Sequence, residues 1–163
     1  MYRHLAPVVA GLLWFATACA QETLSGRVVS VHDGDTLTLE AGQRRVRVRL
    51  WGIDAPELRQ DDGAASHAAL VRLCERRTAT AEVLGRDRYG RVIARVSCEG
   101  VSANREQVRR GWAWVYDRYV SRDDPLHRIE ERARAAAEGL WRNEAAVPPW
   151  EWRNAREVRT PPA

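Results

Sequence analysis

The sequence predicts an α+β domain: a small, closed, five-stranded β-barrel flanked by three α-helices. Three observations carry that expectation. Apolar and polar residues alternate from Leu24 to Leu50, the period of strands with one buried face. The same alternation returns in TATAEVLG and RVIARVSC after an interruption. Three further stretches have helical spacing, with start or stop residues at their ends. With 163 residues, the chain has the length of one domain with a modest core.

The first twenty residues stand apart. MYRH is a short polar start carrying Arg3, LAPVVAGLLWFATACA is apolar, and Ala18-Cys19-Ala20 has small residues at both positions of an A-x-A cleavage site. This pattern predicts a secretory signal peptide over residues 1–20, too short for a membrane span, with cleavage after Ala20. The alternative is a lipoprotein signal with Cys19 lipidated, although ATAC lacks the large aliphatic residue usual three places before such a cysteine.

From Leu24, GRVVSVHD offers Val29 and Val31 to one face, and TLTLE offers Leu37 and Leu39. RRVRVRL sets Val46, Val48 and Leu50 against Arg45, Arg47 and Arg49. HDGD and EAGQ are the intervening hairpin turns. DAPELRQDDG then breaks the pattern with proline and glycine. SHAALVRLCERR predicts a helix capped at Ser66, with Leu70, Leu73 and Cys74 along one side. TATAEVLG and RVIARVSC are strands joined by a tight RDRYGR connection. Ala103 to Arg110 predicts a short helix ended by Gly111, and Asp124-Pro125 opens the last one, with Leu126, Ile129 and Ala133 spaced for packing. Five strands in a three-plus-two arrangement, interleaved with helices, predict a barrel of the oligonucleotide-binding type, the OB-fold. Its expected extent is residues 24–142. The tail at 143–163 has too many prolines and charges to predict an element.

Every one of the 26 basic residues is arginine. After cleavage, 25 basic residues face 22 acidic ones, a net charge of +3. Guanidinium is the better bidentate partner for phosphate, so the bias is compatible with a phosphate-bearing substrate. Two cysteines remain after Cys19 leaves. In an exported chain Cys74 and Cys98 are expected to form a disulfide, the alternative being two buried thiols. Closing that loop stabilises by roughly 3 kcal/mol in the chain-entropy account.

No C-x-x-C and no histidine pair occurs, so the sequence gives no expectation of a zinc site. Hard oxygen ligands are better represented. Asp35 follows the first turn, Asp54 ends the third strand, and Glu57 lies three residues on. In a barrel these two places can lie side by side, and two carboxylates with a backbone carbonyl and waters suit calcium. Singly, each acid has a plain reading as a turn or loop residue, and Asp33, in Asp-Gly, is expected to shape the turn. The arginines change that balance: Arg49 lies on the strand leading into Asp54 and Glu57, and Arg91 follows the RDRYG turn.

DGDT at 33–36, RLWGIDAPE at 49–57 and DRYGR at 87–91 resemble, in order, the three signature blocks of the staphylococcal nuclease (thermonuclease) family. VSANREQVRRGWAWVY at 101–116 and the following helix extend the resemblance to roughly Leu24–Trp141. The resemblance implies that Asp35, Asp54 and the backbone carbonyl of Ala55 bind Ca2+, with Ala55 standing where threonine is common. It implies that Arg49, Glu57 and Arg91 form the catalytic trio. Glu57 would take a proton from, or orient, the attacking water, and the two arginines would clamp the scissile phosphate. Tyr89 and Arg88 fall in the third block and imply substrate contacts, Tyr89 at a terminal phosphate. Tyr119 matches a second such tyrosine, with Tyr116 an equal competitor, and partial burial at the barrel rim is the alternative for either ring.

His32, His67 and His127 have no partner pattern and are expected in surface or structural roles. Trp112, Trp114, Trp150 and Trp152 could stack on bases, but they are expected to pack the tail and the second helix against the domain. The leader and the resemblance together lead to the expectation of an exported, monomeric, calcium-dependent nuclease, periplasmic or extracellular, with DNA and RNA as substrates and 3′-phosphate products. A catalytically weak nucleic-acid-binding module would typically lack one or more of the five charged positions, and all five are present. An oligosaccharide-binding barrel would account for the tryptophans but not for the paired acids and arginines.

Overall fold

The computed structural model describes residues 21–159, with side chains through Arg156. The expected leader at 1–20, Cys19 included, lies outside the described residues. Strands β1 (Thr23–Val31), β2 (Thr36–Ala41) and β3 (Arg44–Leu50) form an antiparallel meander. Strand β5 (Thr78–Arg86) pairs antiparallel with β1 on one side and with β6 (Val92–Cys98) on the other. β3 and β6 then run parallel, from Val48 opposite Val92 to Leu50 opposite Ala94, and this pairing closes the five strands into a barrel. The short strands β4 (Ile53–Asp54) and β8 (Trp114–Val115) make a separate antiparallel ribbon, and β7 (Val101–Ser102) extends the β6 edge.

The helices are α1 (Gly63–Cys74), α2 (Ala103–Arg109), α3 (Pro125–Ala135) and α4 (Pro149–Arg159), with one 3-10 turn at Gly139–Arg142. The α+β class and the closed five-stranded barrel agree with the sequence reading; a fourth helix joins the three expected. Its core gathers the inward side chains of all five strands, among them Leu37, Leu39, Val48, Leu50, Val92 and Val96, with Leu70 and Cys74 of α1 packed against them. Among the described residues, no helix is long and apolar enough to cross a membrane.

Three local expectations need correction. Val28, not Val29 or Val31, is the fully buried valine of β1. The pairing register with β2 shifts between Val28 and Ser30, a bulge that resets which residues face inward. Ser66 does not cap α1, which starts at Gly63 after Asp62. It is buried within the helix, and its hydroxyl donates to the Trp112 carbonyl at 2.6 Å. The tail does form an element: α4 begins at Pro149, and proline fits a first helical position because its missing N–H has no intrahelical partner there.

Other signals hold. Asp124 caps α3, its carboxylate accepting from the Leu126 amide at 2.9 Å. Cys74 and Cys98 are joined in a disulfide across 24 residues, both buried, tying the end of α1 to the end of β6. The three histidines hydrogen-bond within the fold: His32 to the Thr38 hydroxyl, His67 to the Val31 carbonyl and His127 to the Ser121 carbonyl. Trp114 is buried edge-on against Trp141, with centroids 5.2 Å apart, the packing role expected of it.

Candidate active site

The turn between β1 and β2 is built to present Asp35. Asp33 accepts the Asp35 amide at 2.9 Å, and buried Gln107 of α2 donates to the Gly34 carbonyl at 2.7 Å. Gly34 packs so closely on Ser66 that a Cβ there would strike the serine hydroxyl. The β2–β3 register sets Thr36 opposite Arg49, bringing the arginine to the same end of the barrel. The β4–β8 ribbon then places Asp54 across from Trp114 and leads Tyr116 alongside, its amide donating to the Gly52 carbonyl at 2.9 Å.

These elements converge on a buried acidic cluster. Asp35 is 2 % exposed and Asp54 fully buried. Arg49 bridges them, Nη1 to Asp35 Oδ1 at 2.6 Å and Nη2 to Asp54 Oδ1 at 2.9 Å. Asp35 also accepts from the Thr36 hydroxyl at 2.9 Å and, through Oδ2, from the Ala55 amide at 2.8 Å. Ala55 is thus tied directly to the aspartate it was expected to assist. Glu57 follows on a loop whose path α1 fixes: a Cβ on Gly63 would strike the Glu57 carbonyl.

Burial dominates the electrostatics of the cluster. Burial pushes the Asp33 carboxyl up to about 7, with the charge of Asp35 adding to it. Burial likewise raises Asp54, and Asp35 adds to this, while Arg153 and Arg49 oppose it. For Arg49 the cost of burial is outweighed by the Asp35 and Asp54 charges, and its guanidinium is held charged above its ordinary range.

Such a donor set of carboxylate oxygens fits a hard divalent cation, which favours oxygen ligands. Asp35 and Asp54 would hold it. The described residues contain no cluster of three or more His, Cys, Asp or Glu arranged to hold an ion.

The second part of the site is the β5–β6 hairpin. Asp87 accepts the Tyr89 and Arg91 amides at 2.9 and 3.0 Å and takes Arg91 Nε on its other oxygen at 2.6 Å. Gly90 closes the turn at φ 78°, left-handed backbone that suits glycine. Arg88 donates to the Tyr89 hydroxyl at 2.6 Å and lies 4.8 Å from the centre of its ring, while Arg91 lies 5.6 Å from the same ring. Tyr89 is 68 % exposed.

One cleft of about 840 Å³ is lined by both parts: Asp35, Arg49, Ala55 and Glu57 from the barrel end, Arg88, Tyr89 and Arg91 from the hairpin, and Tyr116 and Tyr119 from the ribbon side. Tyr116 and Tyr119 are packed 5.3 Å apart, so both candidates for the second tyrosine face the same cleft.

Sequence reasoning missed the remaining wall. Helix α4 brings Trp150, Arg153 and Asn154 to this cleft. Arg153 Nη2 donates to Asp54 Oδ2 at 2.7 Å and Nη1 to Glu57 Oε1 at 2.8 Å. The Pro148-Pro149 pair opening an arginine-bearing stretch was the available signal for a helix start. Nothing local in WEWRN points to partners almost a hundred residues away.

The staphylococcal nuclease homologue family model matches residues 47–143. A protein named "Uncharacterized endonuclease" from Escherichia coli is 39% identical over 155 residues, covering 94% of this chain and 99% of its own. A protein of the same name from Haemophilus influenzae is 37% identical over 144 residues, 87% of this chain and 80% of its own. A "Probable staphylococcal-like nuclease CAN1" from Oryza sativa subsp. japonica is 34% identical over 117 residues, 72% of this chain and 35% of its own. A closed five-stranded barrel, an acid–arginine cleft at one end of it and these matches agree, and the chain belongs to the staphylococcal nuclease homologue family.

Proposed function

We propose that this protein is an exported, monomeric, calcium-dependent nuclease, periplasmic or extracellular. It hydrolyses phosphodiester bonds of DNA and RNA with little sequence preference and leaves 3′-phosphate ends. The observation that carries the reading is the cleft itself: buried Asp35, the loop glutamate Glu57 and two arginines, Arg49 of β3 and Arg91 of the β5–β6 hairpin, around one space, with buried Asp54 bonded to Arg49.

The roles follow from chemistry. The phosphodiester enters between Arg49 and Arg91, whose guanidinium forks match its non-bridging oxygens and stabilise the charge that grows there as water adds. Glu57 accepts the proton of that water as the oxygen bonds to phosphorus. The bond to the 5′ oxygen breaks, that oxygen takes a proton, and the phosphate stays on the 3′ side. Asp35, Asp54 and the Ala55 carbonyl would hold a calcium ion, which would supply charge neutralisation and positioning of the phosphate. Tyr89, with Arg88 against it, and Tyr119 offer exposed rings and hydroxyls to the flanking nucleotide, and half-buried Tyr116 lines the same cleft. No group in the cleft is assigned to reading a base edge, and none excludes a 2′-hydroxyl.

The test uses the mature chain, residues 21–163, with end-labelled single-stranded DNA and RNA, in calcium or in chelator. Cleavage of both in calcium, loss in chelator and 3′-phosphate termini are expected. Full activity in chelator would remove the metal assignment, and 5′-phosphate termini would reverse the bond that is cut.

A further inference from the structure

Glu57 is the acid to which the proposed chemistry gives the proton, yet little fixes its carboxylate. Its side chain is 38 % exposed on the loop after β4. Its amide donates to Gln60 Oε1 at 3.3 Å, which holds the main chain and leaves the side chain to its own rotamers. Among the described residues, the hydrogen-bond partner of the Glu57 carboxylate is the guanidinium of Arg153, at 2.8 Å. The same planar group reaches Asp54 Oδ2 at 2.7 Å. One rigid fork therefore spans both acids and sets the direction of Glu57 relative to a buried, immobile neighbour.

Arg153 is itself well placed to do this. Its helix is docked on the loop it orients: Gln60 Nε2 donates to the Val147 carbonyl at 2.6 Å, and the Trp150 ring packs 5.6 Å from that of Tyr116. Helix α4 lies beyond residue 143, where the family match ends. The pair between Arg153 and Glu57 is partly exposed and contributes little to stability, whereas the bond to buried Asp54 anchors the guanidinium. Both terminal nitrogens donate to carboxylates, the contacts that an orienting role needs.

Resting on the hydrolytic reading above, we propose that Arg153 is a positioning residue for that reaction, holding the Glu57 carboxylate in the orientation from which it takes the proton of the attacking water. A general base works only within hydrogen-bonding reach of its proton, and small misplacements are costly. The ordering of Glu57 is then completed on folding, when α4 docks, before any substrate arrives.

The experiment is a double-mutant cycle on the full mature chain, with end-labelled single-stranded DNA at saturating calcium. Arg153→Gln is expected to lower kcat about 10- to 100-fold with KM changed less than about twofold. Arg153→Lys, a point charge without the fork, is expected to recover only part of that loss. In a Glu57→Gln background, Arg153→Gln is expected to cost nothing further, because a residue acting through Glu57 has nothing left to act on.

An equal loss in both backgrounds would overturn the proposal, since direct phosphate binding or damage to the fold would give it. A raised KM with kcat intact would overturn it too. Melting temperatures on all four proteins keep lost structure separate from lost positioning. If the wild-type chain itself cuts no DNA, the hydrolytic reading falls and takes this proposal with it. If it cuts and the cycle is additive, this proposal falls alone.

Discussion

Arg49 and Arg91 are given the same task, yet the molecule holds them in opposite ways. Arg49 sits on β3 between two aspartates from other segments, one 14 residues earlier and one on the β4 ribbon, both essentially buried. Arg91 sits on a hairpin, and the carboxylate that holds it, Asp87, is four residues away in the same turn. The barrel end thus ties its arginine into the long-range fabric of the fold, and the hairpin supplies its own support locally. Function and stability should be inseparable at the first arginine and separable at the second.

The largest effect that would break this contrast belongs to Arg49. Arg49→Ala leaves Asp35 and Asp54 without the charge between them, and removing one partner of a buried ion pair costs about 3–5 kcal/mol. Activity is expected to vanish and the chelator-treated protein to melt well below wild type, as followed by circular dichroism. A melting temperature near wild type would mean that the barrel end does not depend on this arginine.

A smaller effect separates support from chemistry in the hairpin. Asp87→Asn keeps an oxygen for the Tyr89 and Arg91 amides but gives up the charged bond to Arg91 Nε. Stability should change by about 1 kcal/mol or less, as for other partly exposed pairs. The rate constant kcat/KM should fall roughly 10- to 100-fold as Arg91 loses its orientation. A drop in stability comparable with that of Arg49→Ala would erase the distinction between the two regions.

The smallest effect is a titration. Burial pushes the Asp87 carboxyl up, but hydrogen bonds from the Arg91 side chain and from the Arg91 and Tyr89 amides outweigh it and hold the group below its ordinary value. Because the folded value lies below the unfolded one, this contribution is fully present above about pH 4 and is lost as pH falls through the folded value. The carboxyl carbon resonance of Asp87, followed against pH, should have its midpoint below that of an ordinary aspartate and move up in Arg91→Ala. A midpoint already at the ordinary value would show that the hairpin pair is not formed in solution.

The same contrast explains how much was legible in the sequence. Alternation of Val46, Val48 and Leu50 with arginines was enough to place β3, because a strand with one buried face writes its period into consecutive residues. Asp35, Arg49, Asp54, Glu57 and Arg91 stood out because each lies in a short block whose neighbours shape it. The β1 bulge was not legible: a register shift at Val28 depends on pairing with β2, which period two cannot register. Nor was α4, where proline and charge read locally as a tail. Pro148-Pro149 is a start signal, but the contacts that fix the helix are with distant partners, Gln60, Tyr116, Asp54 and Glu57, which its own sequence does not show.

The most direct measurement is the cleavage rate of Arg91→Lys, taken alongside its melting temperature, in calcium and on single-stranded DNA. Lysine keeps the charge and loses the fork that can hold two phosphate oxygens, or one and the leaving oxygen, together. The account predicts a rate lowered by a factor of about 10² to 10³, with a melting temperature close to wild type because the hairpin carries its own support. A near wild-type rate in a folded Arg91→Lys protein would contradict it, and with it the assignment of this cleft to phosphodiester hydrolysis by paired guanidinium groups.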